Sequence, residues 1–299
     1  MVDHFAGLAR QFAFPGAKVV DIGSNDGTLP AAFATLGCTA IAIEPAQNIE
    51  CKVPKITRFL DEAAVSEAID TLGGKADIIT ATNVCAHVDD LVGFLKYVRA
   101  LISDDGHFIA EWPDWEKTAE AGAFDQIYHE HLSYLTFGSF AYALREAGLQ
   151  AVQLQYIPVH GGSLRILARP ARTNEIAPLP TYKSLVAGFM QAAEKTIAEL
   201  PVFLESWKGR IAGYGAPAKA TTLLNAVKID EPLLPYTVDS TPFKVGRYIP
   251  GTSIPIRPES ELGNPECALI LAWNFAEEIM RKLPEGTRGA VPIPFPKVL

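Results

Sequence analysis

The chain of 299 residues is poor in cysteine, and the cysteines it has are scattered. Cys38, Cys51, Cys85 and Cys267 form no CxxC pair, which excludes the ligand spacing of a zinc module and the density of a disulfide framework. Single cysteines in apolar segments read as small core residues. Positive charge is also short: 26 Lys+Arg stand against 34 Asp+Glu, a net charge of −8. That balance argues against a nucleic-acid partner, while leaving room for a local phosphate site. No charge-free run approaches the roughly 18 apolar residues of a membrane span. The opening MVDHFAGLARQF lacks the apolar stretch of a signal peptide. The expectation is a cytoplasmic chain without membrane contact, present as a monomer or weak homodimer.

What is present in quantity is core-forming material. Hydrophobic residues make up 48% of the chain and charged ones 20%, which excludes disorder. The length suits two domains or one large α/β unit. In the first half, short apolar runs at 19–22, 40–43, 78–82 and 108–111 read as strands. Helical patterns at 29–36, 62–72 and 90–102 separate them, which predicts a parallel sheet with right-handed crossovers. Runs at 151–157 and 164–168, joined by HGGS, predict a closing hairpin. The polar, Pro-bearing stretch 171–180 reads as a linker. A long helix follows over 182–207, with Leu185, Phe189, Ala192, Ala193, Ile197 and Leu200 on its apolar face and a break or kink at Pro201. Alternation then restarts with strands at 210–213, 236–239 and 268–272, a helix over 217–226 and a last helix. The predicted organisation is a Rossmann-like domain over 1–170, a linker and long helix over 171–208, and a second Rossmann-like domain over 209–299.

KVVDIGSNDGTL is the most informative segment. A strand delivers Asp21, and Gly23 and Gly27 flank a turn that opens a helix near Thr28. Glycine permits positive φ and close approach of a ligand to the backbone. The spacing G-x-x-x-G differs from the G-x-G-x-x-G that seats a pyrophosphate. Asp21 and Asp26 would repel phosphate; they suit a cofactor with a cationic group, such as the amino-acid part of S-adenosylmethionine. Glu44, at the end of the next strand, suits ribose hydroxyls. Asn83 ends the third strand on the sheet edge where open α/β folds bind ligands.

Four polar, titratable residues, Tyr128-His129-Glu130-His131, stand between Phe124 and Leu132. Such a cluster can supply a general base and a donor to an oxyanion. Metal binding competes, since His129 and His131 would share one face of a strand, although H-x-H is not the i, i+4 pair of helical zinc sites. His87 lies on a loop at the sheet edge, either reaching a substrate or standing beside a helix capped by Asp89 or Asp90. His160 belongs to HGGS, either a ligand contact or simply a turn. His4 and His107 have no supporting neighbours in sequence.

Gly213-Tyr214-Gly215-Ala216-Pro217-Ala218-Lys219 satisfies G-x-G-x-x-A, which places backbone N–H groups against phosphates. Lys219 adds charge there, and Asp239 lies near the position of a ribose acid. Lys244 and Arg247 further on can hold a diphosphate. One acidic and one phosphate-seeking loop imply two different ligands. A nicotinamide-dependent oxidoreductase remains an alternative on this loop alone.

These stretches together resemble a known family, the S-adenosylmethionine-dependent C-methyltransferases of nucleotide-linked keto sugars. The resemblance rests on VVDIGSNDGTL, EPAQN, NVCAHVDDL, FDQIYHEHLSYL, HGGSLR, GYGAPAKATTLLN, VDSTPFKVGRYIPGTSIPI, ILAWNFAEEI and VPIPFPKV, and so spans nearly the whole chain. It implies a class I methyltransferase domain followed by a second Rossmann-like domain that helps hold the nucleotide sugar. S-adenosylmethionine is the implied cofactor, held by Asp21, Gly23, Ser24, Asn25, Gly27, Glu44, Pro45 and Asn83. His131 is implied as the base that removes a proton α to the ketone, with Tyr128, Glu130 and His87 lining the same site. His129, His160, Gly215, Ala216, Lys219, Asp239, Lys244 and Arg247 are expected on the substrate side, and no metal is expected. Typical members begin with a cysteine-paired zinc domain, which has no counterpart in this sequence. Either the sequence is a piece of a longer chain or the domain is naturally lacking, and only in the second case does a different nucleotide sugar or another enolisable acceptor come into question.

Overall fold

The computed structural model describes residues 2–157, 162–172 and 183–299. The chain divides into two compact units, one of residues 1–115 and 132–181, the other of residues 116–131 and 182–299. The segment 116–131, which carries the Tyr-His-Glu-His cluster, therefore packs with the second unit, although sequence order groups it with the first. The physical reason is Asp125, fully buried with its carboxyl accepting from the Trp273 indole at 2.7 Å.

In the first unit, α1 (Val2–Phe12) precedes β1 (Lys18–Ile22), α2 (Thr28–Ala34), β2 (Thr39–Ile43) and β3 (Lys55–Ile56). Next come α3 (Glu62–Leu72), β4 (Ala76–Thr82), α4 (Leu91–Leu101) and β5 (Ile102–Pro113). After α5 (Trp115–Glu120), which runs across the division between units, α6 (Phe137–Glu146), β6 (Leu149–Ile157) and β7 (Ser163–Pro170) complete it. Among the described residues the sheet runs β3-β2-β1-β4-β5-β7-β6. The first five are parallel; β7 is antiparallel to both β5 and β6. The expected helix at 62–72 is explained by its ends. Asp61 accepts from the Ala64 N–H at 2.7 Å, and Gly73 closes the helix at φ 63°. The β5 strand is longer than its apolar run because it pairs with β4 at Ile102 and from His107 onward, and with β7 along Phe108–Pro113. The residues expected to join β6 to β7 include His160, which lies outside the described residues.

His4, which has no supporting neighbour in sequence, gains several in space. Its Nε2 lies 2.8 Å from the Glu111 carboxylate on β5, which also takes a 2.5 Å bond from Arg165 Nε on β7. Arg165 reaches Gln11 of α1 and Gln155 of β6 at 3.3 and 3.2 Å. This buried network ties α1 to the sheet.

In the second unit, α7 (Lys183–Ser206) leads to β8 (Ile211–Tyr214), α8 (Ala218–Val227), β9 (Thr237–Asp239) and β10 (Ile256–Pro258). Then follow β11 (Cys267–Ile270), α9 (Ala276–Met280), β12 (Arg288–Val291) and β13 (Lys297–Val298). The described strands order as β10-β9-β8-β11-β12-β13, parallel except for β13. The expected break at Pro201 is absent: α7 runs through it. Burial of Leu200 and Leu204 offsets the roughly 3 kcal/mol that an internal proline costs. The buried face of α7 is Phe189, Thr196, Leu200 and Leu204, whereas Ile197, expected inside, is exposed. No helix among the described residues is long and apolar enough to cross a membrane.

Arg165→Ala would leave the Glu111 carboxylate buried without its guanidinium. A loss of about 3 kcal/mol in urea unfolding is expected, against a smaller loss for the double variant Glu111→Gln/Arg165→Met, which removes both charges. A single-variant loss under about 1 kcal/mol would show that this ion pair does not secure the sheet edge.

Candidate active site

The connections of the first sheet diverge between β1 and β4, and that is where its cavity lies. The cavity measures about 1010 Å³, with Ile22, Ile43, Leu60 and Phe94 among its apolar walls. Of the residues expected there, Gly23, Glu44, Pro45, Asn83 and His87 line it. Strand ends deliver them: Gly23 N–H bonds to Ile43 C=O, Glu44 N–H to Ile56 C=O and Asn83 N–H to Glu111 C=O.

The loop after β1 is held open by backbone that side chains resist. Gly23, Asn25 and Gly27 have φ of 66°, 51° and 73°. A Cβ at Gly27 would meet the Cys51 sulfur and the Lys52 backbone, so glycine is required there. Glu44 braces the loop. Its two oxygens accept from the N–H groups of Asn25 and Ala46, each at 2.9 Å. Ser24 is buried with its hydroxyl unpartnered.

The two loop aspartates behave differently from the expectation. Asp21 is buried beneath the loop, does not line the cavity, and accepts from the Thr80 hydroxyl at 2.6 Å. Burial pushes its pKa up to about 7, against the Thr80 bond and helped by the charge of Glu44. Asp26 is exposed and pairs with Lys52 at 2.7 Å, and this bond, with that of Thr28, holds its carboxyl below the usual range. An aspartate neutralised by a lysine is no docking point for a cation.

Tyr128–His131 forms a turn closed by His131 N–H on Tyr128 C=O, not the strand that would pair His129 with His131. The turn instead brings Tyr128 and His131 together, their rings 4.2 Å apart. Nδ1 of His131 lies 3.0 Å from the Gln126 carbonyl and Nε2 lies 3.0 Å from the Tyr128 hydroxyl. A carbonyl only accepts, so Nδ1 carries the proton and Nε2 is the basic nitrogen. His129 and Glu130 are exposed on the same turn. His87 lies in the first unit and His131 in the second. The helix after His87 is capped by Asp90, which accepts from Gly93 N–H at 2.8 Å.

At the loop after β8, Gly215 has φ 89° and Ala216 N–H donates to Asp239 at 2.7 Å. Thr241 N–H donates to the other Asp239 oxygen at 2.8 Å, and Lys244 bridges Asp239 and the Ala216 carbonyl. Burial would raise the Asp239 pKa, but the bonds from Thr241 and Ala216, with Lys244, bring it below the usual range. Lys219, expected at a phosphate, is buried instead. Its ammonium bonds to Asn274 Oδ1 and sits 3.9 Å over the Trp273 ring. Arg247 is exposed.

Residues 158–294 match the model described as C-methyltransferase C-terminal domain, and residues 3–154 match a methyltransferase domain. The chain is 33% identical to the C-methyltransferase NovU of Streptomyces niveus, over 95% of this chain and 74% of that protein. The chain belongs to the C-methyltransferase family. A ubiquinone biosynthesis O-methyltransferase of Methylocella silvestris is 32% identical over 37% of this chain and 47% of that one. Among solved structures, a Burkholderia thailandensis 1,6-didemethyltoxoflavin-N1-methyltransferase is 19% identical, with a TM-score of 0.42, over 57% of this chain and 78% of that one.

The methyl donor of this C-methyltransferase is S-adenosylmethionine. The first unit fits that group: a glycine loop under the cavity, the unpartnered Ser24 hydroxyl, an acid ending β2 and apolar walls for a nucleoside. Family membership sets aside the nicotinamide oxidoreductase raised for the second loop. Sequence reading missed Arg58, Phe59 and Tyr97 on the cavity wall. Arg58 and Phe59 lead into the helix cap Asp61, and Tyr97 lies on the helix capped by Asp90; such caps mark where helices begin and not which side chains face a cavity.

Asp21 titrates near 3.8 ordinarily and at about 7 when folded. Between these values the folded methyltransferase keeps a proton that the unfolded chain has lost, so stability declines as pH rises through this window. Asp21→Asn is expected to flatten the decline and to exceed the wild type in stability at pH 8, read by denaturant titration across pH. An unchanged slope would assign the decline to another group.

Proposed function

We propose that this C-methyltransferase acts on a keto sugar carried by a nucleoside diphosphate, methylating the carbon next to the ketone. The observation that carries the reading is the Gln126 carbonyl on Nδ1 of His131, which leaves Nε2 as the base. A ketone acidifies the adjacent C–H, and a neutral imidazole is suited to remove that proton near pH 7. The Tyr128 hydroxyl, which rests on Nε2 at 3.0 Å, is the donor at hand for the enolate oxygen. S-adenosylmethionine supplies an electrophilic methyl group to the carbanion so formed. Gly23, Ser24, Asn25, Gly27, Glu44, Pro45 and Asn83 would hold it, with Asp21 beneath the loop.

In this reading the second unit holds the nucleotide. The exposed Arg247 and the N–H groups at the start of α8 offer phosphate donors, while Lys244 keeps the loop in shape through Asp239. Lys219 supports the fold rather than the phosphate. His129 and Glu130, exposed on the turn that carries His131, would contribute on the acceptor side.

S-adenosylmethionine with a ¹³C methyl group, incubated with a panel of nucleoside-diphosphate keto sugars, is expected to give a methyl resonance bonded to carbon. Label on oxygen or nitrogen would overturn the enolate route. His131→Ala should slow both methyl transfer and exchange of the α-proton with D₂O by about 10²-fold or more. Wild-type exchange in that variant would remove His131 from the role of base.

A further inference from the structure

Three residues before Tyr128 stands a further carboxyl, that of Asp125. Asp125 lies in the 3₁₀ turn Phe124–Gln126 and has no exposed surface. Its Oδ2 accepts from Trp273 Nε1 at 2.7 Å, whereas Oδ1 makes no conventional hydrogen bond although fully buried. Trp273 also carries the Lys219 ammonium over its ring, and the neighbouring Asn274 accepts from that ammonium. Burial pushes Asp125 up to about 6 and Lys219 down to about 8, each charge favouring the other. A buried carboxyl that leans on one indole, on the backbone N–H groups of Asp125 and Gln126 and on the charge of Lys219 is costly to retain for packing alone. It sits immediately before Gln126, whose carbonyl is the partner of His131 Nδ1.

We propose that Asp125 is a positioning residue for the base: through Trp273 it anchors the turn whose Gln126 carbonyl selects the Nδ1–H form of His131. The chain of contacts lies wholly within the second unit. The Trp273 indole fixes the Asp125 side chain, and with it the rotation of the 124–126 backbone. The Gln126 carbonyl is thereby aimed at the imidazole, and one tautomer is favoured over the other. A base whose acceptor nitrogen is set before substrate arrives avoids a proton rearrangement at the moment of reaction. Its use in catalysis rests on His131 being the base proposed above, but the tautomer is measurable without any acceptor.

The test is the tautomer of His131 in the full chain, read from long-range ¹⁵N–¹H imidazole correlations. Asp125→Ala is expected to lower the ratio of Nδ1–H to Nε2–H by about five-fold, the scale of one weakened hydrogen bond. Asp125→Asn, which keeps an oxygen for the Trp273 N–H, is expected to restore it. Trp273→Phe keeps the ring under Lys219 but removes the donor, and should shift the ratio like Asp125→Ala. It also serves if the alanine variant does not fold. An unchanged ratio in the folded alanine or phenylalanine variant overturns the proposal, as does an equal shift in Asp125→Asn. Loss of α-proton exchange in His131→Ala decides the base separately, so a failure of the base and a failure of its anchor are distinguishable.

Discussion

Between β1 and β4 the connections of the first sheet leave in opposite directions, and the gap at their carboxyl ends is the constraint on which the methyl-donor site depends. Chain must turn sharply at both strand ends without filling that gap. At the end of β1 this requires left-handed backbone at Gly23, Asn25 and Gly27. At the end of β4 it requires Asn83 at φ 56°. Glu44 then locks the arrangement from the end of β2, each oxygen accepting from a backbone N–H. Remove the divergence of connections and neither the cavity nor the need for those glycines exists.

The second unit solves a similar geometric problem with different electrostatics. Its loop after β8 is closed by contacts among the residues that a nucleotide would otherwise attract: Asp239, Lys244 and the Ala216 backbone. The first loop is acidic and leaves a buried hydroxyl unsatisfied; the second satisfies its own acid. One glycine pattern thus does not predict one ligand, because the charge of the loop and the fate of its carboxylate decide what remains to be bound.

The Tyr128–His131 turn is assembled by short-range geometry. A four-residue turn brings Tyr128 onto His131, and a carbonyl two residues before Tyr128 defines which nitrogen is protonated. Neither interaction needs a metal or a second histidine. The buried Asp125 connects this turn to Trp273, in the 3₁₀ turn that follows β11, so the turn and the second Rossmann-like unit are parts of one packed body.

Much of this was legible from local signals. Period-two and period-3.6 apolar runs, glycine turns and caps mark most of the parallel strands, because those signals act within a few residues of where they are read; β3, β10 and β12 stand outside the expected strands. The helix at 62–72 carries its own cap at Asp61 and its own stop at Gly73. The motif series likewise points to the family. Only the tertiary structure decided what long-range partners decide. Residues 116–131 pack with the second unit because Trp273 lies 148 positions from Asp125. His4 acquires a partner in Glu111, 107 positions away, α7 runs through Pro201 because its neighbours are buried, and Lys219 turns inward from a motif that points it at phosphate. In each case burial and pairing with distant residues outweigh the local preference, and no neighbour in sequence carries that information.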